Sequence, residues 1–197
     1  LLVGRTDIRT LSDRDAVAEI TGLVQTAGMD PVDAVVLRRC EPSPKFGMGS
    51  GKAEEIHQIA QSSGAAAIVF DFVLTPTQQR NWEQLTDLPC FDRQEVIIRI
   101  FADRAMTREA VLQIDLARLT YSLPRLSHTY TALSRQRGGR YGTRGGGETQ
   151  LELDRRSILK KITRIKHDLK EVRKERTVMR KQRDRVSFPS CAIVGYT

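Results

Sequence analysis

Residues 134–147 combine glycine and arginine in a way that suits binding to a polyanion. The segment contains six glycines and no acidic residue, and its arginines are Arg135, Arg137, Arg140 and Arg144. A planar guanidinium can bind phosphates and base edges with two donors at once, and Tyr141 could stack on a base. We expect a loop that is disordered when free and ordered on RNA, the alternative being a passive linker between two helices.

A second glycine-rich segment, residues 46–53, has the composition of a phosphate-binding loop. Its glycines are Gly47, Gly49 and Gly51, and Lys52 follows them. It lies between a predicted strand and a predicted helix, where backbone N–H groups can bind an anion. The spacing departs from a P-loop, because no glycine stands five residues before Gly51 and Ala53 offers no hydroxyl for Mg²⁺. The segment is compatible with two interpretations: a nucleotide or anion site, second to any GTP site, or a flexible turn before the helix.

Cysteine and histidine form no recognisable metal site. Cys40, Cys90 and Cys191 are far apart, and there is no CxxC motif or Cys/His cluster. This usage favours reduced thiols in the cytoplasm. We therefore predict no metal ligands, and the residues suggest no catalytic set. The sequence also has no apolar run long enough to predict a membrane span.

The positive charge is concentrated late in the chain. The net charge is +8, yet residues 1–133 contain 14 Lys/Arg against 17 Asp/Glu. Residues 155–185 contain 14 Lys/Arg against four Asp/Glu. This asymmetry indicates a polyanionic partner for the basic segment, the alternative being a solvated charged helix.

The first half of the chain has an α/β pattern. Short apolar runs predict strands at 1–4, 34–37, 65–70 and 90–91. The helices predicted between them include one capped by Ser12 and ended by Gly28, and one at about 52–63. A third has Thr75 as its N-cap, Pro76 as its first residue and Gln78 two positions later. Alternating strands and helices favour a small, mainly parallel sheet with flanking helices.

The second half predicts a long antiparallel helical hairpin. Apolar residues recur with coiled-coil spacing in two segments, at Leu112, Leu116, Leu119, Leu123, Leu126 and Leu133, and at Ile158, Ile162, Ile165, Leu169, Val172 and Met179. Pro124 predicts a kink or an early end of the first helix. Thr149 and Glu152 form a capping-box pattern, which predicts that the second helix begins at Thr149.

Several motifs together resemble the HflX family. They are GSGKAEEI at 49–56, QQRN at 78–81, DR at 92–93, IFADRA at 100–105, SRQ at 134–136, GGGETQLE at 145–152 and DRR at 154–156. The resemblance covers nearly the whole chain and is highly specific. In the glycine- and arginine-rich segment before GETQLE, which is the tip loop of the predicted hairpin, this chain has one extra residue. It also carries Gly146 where the family pattern has proline.

The resemblance implies a cytoplasmic translation GTPase that binds the large ribosomal subunit and splits or rescues stalled ribosomes, using GTP and Mg²⁺. It implies that an N-terminal arm reaches ribosomal RNA. The RNA-binding residues would be Arg135, Arg137, Arg140, Tyr141, Arg144, Arg155 and Arg156. It also implies that Gly195, Tyr196 and Thr197 begin a P-loop, whose lysine and Mg²⁺-binding hydroxyl would come later. We therefore expect no GTP hydrolysis from these residues alone.

These observations predict three parts: an α/β domain at 1–104, a helical hairpin at 105–186 with its tip loop at 134–148, and the first strand of a GTPase domain at 187–197. The leading hypothesis is a ribosome-docking module. Some members of the family are reported to use ATP through the N-terminal domain, so a second hypothesis places an ATP site near residues 47–52. A third gives the hairpin a structural role, in which it packs on the domain and restrains the GTPase, as a structural regulator of the protein's own GTPase domain.

Overall fold

The computed structural model describes residues 1–6, 13–38, 43–126 and 146–184. Its sheet has four parallel strands in the order β2-β1-β3-β4, with β1 at Leu2–Thr6, β2 at Ala34–Arg38, β3 at Ile68–Phe70 and β4 at Cys90–Asp92. Val3 lies in register with Val35 on one side and with Phe70 on the other. The predicted α/β class and parallel sheet are therefore confirmed.

Six α-helices are described. They are α1 at Asp13–Thr26, α2 at Ser50–Ser62, α3 at Pro76–Thr86, α4 at Arg93–Arg104, α5 at Arg108–Ser122 and α6 at Gly146–Asp184. A short 3₁₀-helix at Leu123–Arg125 follows α5 and contains Pro124. The early end that Pro124 predicts is confirmed, because proline cannot supply the N–H that would continue the α-helix.

Helices cover both faces of the sheet. On one face, α2 and α3 pack against the strands and bury Val3, Ile56, Phe70 and Trp82. On the other, α1 and α4 cover a second cluster that contains Leu2, Ile20, Val24, Val69 and Val96. Neighbouring strand residues point to opposite faces, which explains why Leu2 and Val3 belong to different clusters. The sheet is therefore buried on both sides, as parallel sheets are.

Local signals set two of the predicted helix ends. Thr75 caps α3: its side chain accepts a hydrogen bond from the Gln78 N–H, and the Gln78 side chain accepts one from the Thr75 N–H, so the predicted capping box is present. Gly28 follows α1 with a φ of 74°, a left-handed conformation that glycine adopts without strain. The predicted N-cap Ser12 lies outside the described residues.

The start of α6 differs from the prediction. The helix begins at Gly146, so Thr149 lies inside its first turn and the predicted N-cap is wrong. A side-chain cap favours a particular start by only about 1 kcal/mol. The longer helix places Glu148 in its first turn, where a negative charge interacts favourably with the helix dipole.

Helices α5 and α6 pack against each other. On α6, Ile162, Leu169 and Val172 are buried, as the spacing predicts. Met179 is 50% exposed, so its predicted place on the buried seam is wrong. Arg176 pairs with Glu109 in the first turn of α5, so α6 continues past the start of α5 and Met179 has no turn of α5 opposite it. The tip of the predicted hairpin and Leu133 lie outside the described residues, so the full coiled-coil hairpin stays a prediction.

Candidate functional site

The glycine-rich segment that precedes α2 is packed into the core. Phe46 and Met48 are buried in the cluster beneath α2 and α3. The Phe46 ring meets the Trp82 ring edge-on, with the ring centroids 5.3 Å apart. Two large side chains on either side of Gly47 therefore hold this segment against the sheet, and the interpretation as a flexible turn does not fit the packing.

Polar side chains of α3 bind the backbone of the same segment. Gln78 Nε2 donates to the Ser43 carbonyl at 3.2 Å, Asn81 Nδ2 to the Lys45 carbonyl at 2.7 Å and Trp82 Nε1 to the Phe46 carbonyl at 2.9 Å. These donors lie on one face of α3, because positions 78, 81 and 82 are three and four residues apart. Helix α3 thus fixes the course of the backbone up to Gly47.

The residues of the candidate anion site begin α2. Gly47 has a φ of 77°, and Gly49 is the N-cap, with no side-chain hydrogen bond to the helix. Lys52 Nζ binds both carboxylate oxygens of Glu55, at 2.7 and 2.8 Å, on the exposed surface of α2. The structure thus brings Gly47, Gly49, Gly51 and Lys52 to one helix start, and a nucleotide or anion there stays a prediction.

A buried cluster joins the α/β domain to α5. Asp92 ends β4 and is 0% exposed. Its carboxylate accepts from the Glu95 N–H at 2.9 Å, which caps α4, and from the Leu74 N–H at 3.2 Å. Arg125 Nη2 lies 3.3 Å from the same carboxylate. A buried carboxylate is stable when it is both paired and hydrogen-bonded, and Asp92 meets both conditions.

Beside this cluster, a cleft of about 550 Å³ lies between α4 and the end of α5. Tyr121 donates its hydroxyl to Glu95 at 3.1 Å inside the cleft. Burial raises the pKa of Glu95 and is the largest cause of the shift, while the hydrogen bond from Tyr121 opposes it. Burial also raises the pKa of Tyr121. The innermost polar groups of the cleft thus bind one another, which is typical of a structural joint between elements.

Helix α6 carries the basic residues. Arg155 and Arg156 are exposed, as is every other lysine and arginine at positions 155–183. Two of these side chains form ion pairs: Lys174 with Glu171 at 2.7 Å and Arg176 with Glu109 at 2.5 Å. Lys161 and Arg164 line a shallow groove together with Asp168. The structure thus confirms that Arg155 and Arg156 are accessible on a helix, and their predicted contact with RNA stays a prediction.

The remaining predicted site residues lie outside the described part of the chain. They are Arg135, Arg137, Arg140, Tyr141 and Arg144 of the tip loop, and Gly195, Tyr196 and Thr197 of the predicted P-loop. Within the described ranges, no group of three or more His, Cys, Asp or Glu residues could hold a metal ion. No described helix is long and apolar enough to cross a membrane.

Cys90, the free cysteine among the described residues, is buried at the start of β4. Burial raises its pKa to about 12, so the thiol stays protonated and unreactive.

One residue of the joint, Asp92, carries a local sequence signal of its own. Asp92 precedes Arg93, Gln94 and Glu95, an aspartate before a helical segment, which is an N-cap pattern. The contacts of Arg125 with the α/β domain have no comparable local signal, because Leu74, Gln79 and Asp92 are distant from it in sequence. The same holds for Trp82, which lies outside the joint and binds the Phe46 carbonyl.

Two family models match the chain. GTP-binding GTPase N-terminal matches residues 14–102, and GTP-binding GTPase Middle Region matches residues 104–183.

Curated relatives match nearly the whole chain. The GTPase HflX of Spirochaeta thermophila is 42% identical over 197 residues, which is 100% of this chain and 48% of the relative. The Escherichia coli GTPase HflX is 40% identical over 185 residues, 94% of this chain and 43% of the relative. That of Lacrimispora saccharolytica is 45% identical over 179 residues, 91% of this chain and 42% of the relative. The chain thus spans about half the length of the curated relatives that it matches.

Solved structures share the fold. A crystal structure of SsGBP in complex with GDP has a TM-score of 0.60 at 19% identity and covers 89% of this chain and 44% of that one. A GTP-binding protein from the hyperthermophilic archaeon Sulfolobus solfataricus, in complex with GDP, has a TM-score of 0.56 at 20% identity and covers 87% and 45%. At this level of identity the likeness concerns the fold alone.

Proposed function

We propose that this chain, which belongs to the HflX family of GTPases, is the ribosome-docking part of a translation GTPase. In this proposal the arm formed by α5 and α6 carries the tip loop to RNA of the large ribosomal subunit. The complete protein then splits or rescues stalled ribosomes in the cytoplasm.

The observation that carries the proposal is the charge of α6. Residues 155–185 contain 14 Lys/Arg against four Asp/Glu, and those lysines and arginines that the structure describes are all exposed. A helix that served only as a structural brace would need one buried face and one solvent-exposed face. The exposed face of such a helix needs no excess of positive over negative charge. A helix with this excess attracts a polyanion from a distance.

The tip loop supplies the specific contacts in this proposal. Arg135, Arg137, Arg140 and Arg144 bind phosphates and base edges, and Tyr141 stacks on a base. Arg155 and Arg156 extend the same basic surface along α6. The tip thus determines where the arm binds, and α6 adds attraction that depends weakly on position.

In this proposal GTP and Mg²⁺ bind to the GTPase domain of the complete protein. Gly195, Tyr196 and Thr197 are proposed to begin its P-loop, and that domain is proposed as a partner of the arm. A chain of these 197 residues contains neither the lysine nor the hydroxyl that a P-loop places after them. We therefore expect no Mg²⁺-dependent GTP hydrolysis above background from it.

Binding to purified large ribosomal subunits at several salt concentrations tests the proposal. In one variant Arg135, Arg137, Arg140 and Arg144 are replaced by alanine, and in the matched variant Lys160, Lys161, Lys170 and Lys174 are replaced. Both remove four positive charges. The tip variant should bind more weakly and show a salt slope flattened by several units, and the lysine variant should change less. If the lysine variant loses more, the basic face of α6 is the binding surface and the loop is a linker. If neither variant changes binding, the proposed contact of this segment with RNA is wrong, and the arm is better regarded as an internal structural brace.

A second candidate function is anion or nucleotide binding at the start of α2. The uncapped N-terminus at Gly49 favours it, because the first N–H groups of a helix attract negative charge. The pairing of Lys52 with Glu55 weighs against it, since an incoming phosphate would have to compete with that carboxylate. Titration of the parent and of Lys52→Ala with ATP tests whether this site binds a nucleotide. Saturable binding that the substitution weakens would support this site, and no binding in either protein would dismiss it.

A further inference from the structure

Arg125 lies where the arm meets the α/β domain. Helix α5 ends at Ser122, and the 3₁₀-helix that follows turns the chain so that Arg125 faces the domain. The Arg125 side chain is 17% exposed, which is unusually low for an arginine. The break at Pro124 therefore places a nearly buried cation against the edge of the sheet.

The guanidinium of Arg125 contacts three elements, α3, β4 and α5, and the loop that precedes α3. Nε donates to Gln79 Oε1 of α3 at 2.7 Å, and Nη2 donates to the Leu74 carbonyl, which precedes α3, at 2.8 Å. Nη2 also lies 3.3 Å from the Asp92 carboxylate at the end of β4. Nη1 donates to the Tyr121 carbonyl of α5 at 3.0 Å, and the guanidinium lies 3.5 Å above the centre of the Tyr121 ring.

These bonds are arranged as a planar fork, which lysine cannot reproduce. An ammonium group is a point charge with three rotating donors, whereas guanidinium holds its donors in fixed directions. Gln79 is itself fixed, since its Nε2 donates to the Cys90 carbonyl at 2.8 Å. Each partner on the domain side is therefore held by the sheet or by α3, so the bonds restrain direction as well as distance.

We propose that Arg125 is a positioning residue that fixes the direction in which the arm leaves the α/β domain. The contacts of α5 and α6 show why direction matters. Glu109 meets Arg176, and Leu119 shares a groove with Ile165, so the residues of α6 before about 160 extend past the end of α5. That projecting part, residues 146–159, is about 20 Å long at 1.5 Å per residue. A small rotation at Arg125 therefore moves its far end by several ångström.

The inference goes beyond the proposed function, because it holds whatever the arm binds. It is tested by spin-label distances in the 197-residue protein without ribosomes. Cys40 and Cys191 are first replaced by serine, and labels are then placed at Gln58→Cys on α2 and Ser157→Cys on α6, both of which are exposed positions. Cys90 is buried and stays unlabelled.

The parent should give one narrow distance distribution. Arg125→Ala should broaden it or shift it by several ångström, and Arg125→Lys should do the same to a smaller extent. Arg108→Ala, which removes an exposed arginine from the start of α5, is the matched control and should leave the distribution unchanged. A folded Arg125→Ala protein with the mean and width of the parent would overturn the inference. If that variant fails to fold, Arg125→Lys decides in the same way.

Discussion

Arg176 near the end of α6 pairs with Glu109 in the first turn of α5, with Nη1 and Oε2 2.5 Å apart. The Glu109 side chain is 17% exposed, so this pair is more sheltered than the neighbouring pair of Lys174 with Glu171. The pair shows how the two helices are aligned. From this alignment Ile162, Leu169 and Val172 fall on the face of α6 that the structure buries.

A matched pair of leucines on α6 tests this packing. Leu169 is 7% exposed and Leu159 is 44% exposed. Leu169→Ala should lower the free energy of unfolding by about 2–4 kcal/mol, because it removes buried methyl groups and leaves a cavity. Leu159→Ala should change it by about 0.5 kcal/mol or less. Urea unfolding followed by helical circular dichroism gives both values. Equal effects at the two positions would mean that α6 does not pack as described.

The glycines around the start of α2 allow a second comparison. Gly47 has a φ of 77°, and a Cβ there would make only ordinary contacts, the nearest 3.5 Å from the Phe72 ring. Gly47→Ala should therefore destabilise through its backbone conformation alone, by about 1–2 kcal/mol. Gly51 lies within α2 with open space around it, so Gly51→Ala should stabilise by about 0.5–1 kcal/mol.

The fluorescence of Trp82 can report both changes, since it is the single tryptophan and packs against Phe46. Stability changes of opposite sign at Gly47 and Gly51 are expected if packing in the core determines the backbone conformation of this segment. If Gly47→Ala were neutral, the left-handed conformation would not be held by the packing of Phe46 and Met48.

Much of the α/β domain could be predicted because its signals are local. Thr75, Pro76 and Gln78 are adjacent in sequence and determine the start of α3 by themselves. Gly28 marks the end of α1 in the same way. Helix α4 was not predicted, because it contacts both α1 and α5 and its apolar residues therefore lie on more than one face. A helix of that kind lacks the single apolar stripe on which the sequence argument depends.

The joint between the arm and the domain could not be predicted from the sequence. Arg125 binds Leu74 and Gln79, which are 51 and 46 residues away along the chain. No spacing rule connects positions at such separations, because the fold alone brings them together. The glycine-rich segment is a different case. Its composition suggests a phosphate loop, which stays a prediction, and the composition gives no sign that Phe46 and Met48 pack in the core.

Glu95 gives a prediction about pH. Burial raises the pKa of Glu95, so the native state holds this proton more tightly than the unfolded chain. Stability therefore contains a contribution that falls as pH rises from about 4.3, the ordinary value for glutamate, through the higher native pKa. Glu95→Gln removes this ionisation and keeps an oxygen that can accept the hydrogen bond of Tyr121. The stability of the variant relative to the parent should therefore increase between about pH 4 and about pH 7.

Urea unfolding of the parent and of Glu95→Gln across this pH range measures the difference. The other carboxylates with raised pKa, Asp71 and Glu83, are present in both proteins, so their contributions largely cancel. Glu54→Gln on the exposed surface of α2 is the matched control, because it makes the same chemical change at an exposed position. A Glu95→Gln difference that stays flat or declines with pH would mean that the cleft beside Tyr121 is wet enough to solvate the carboxylate. In that case the joint beside Arg125 would be looser than its hydrogen bonds indicate.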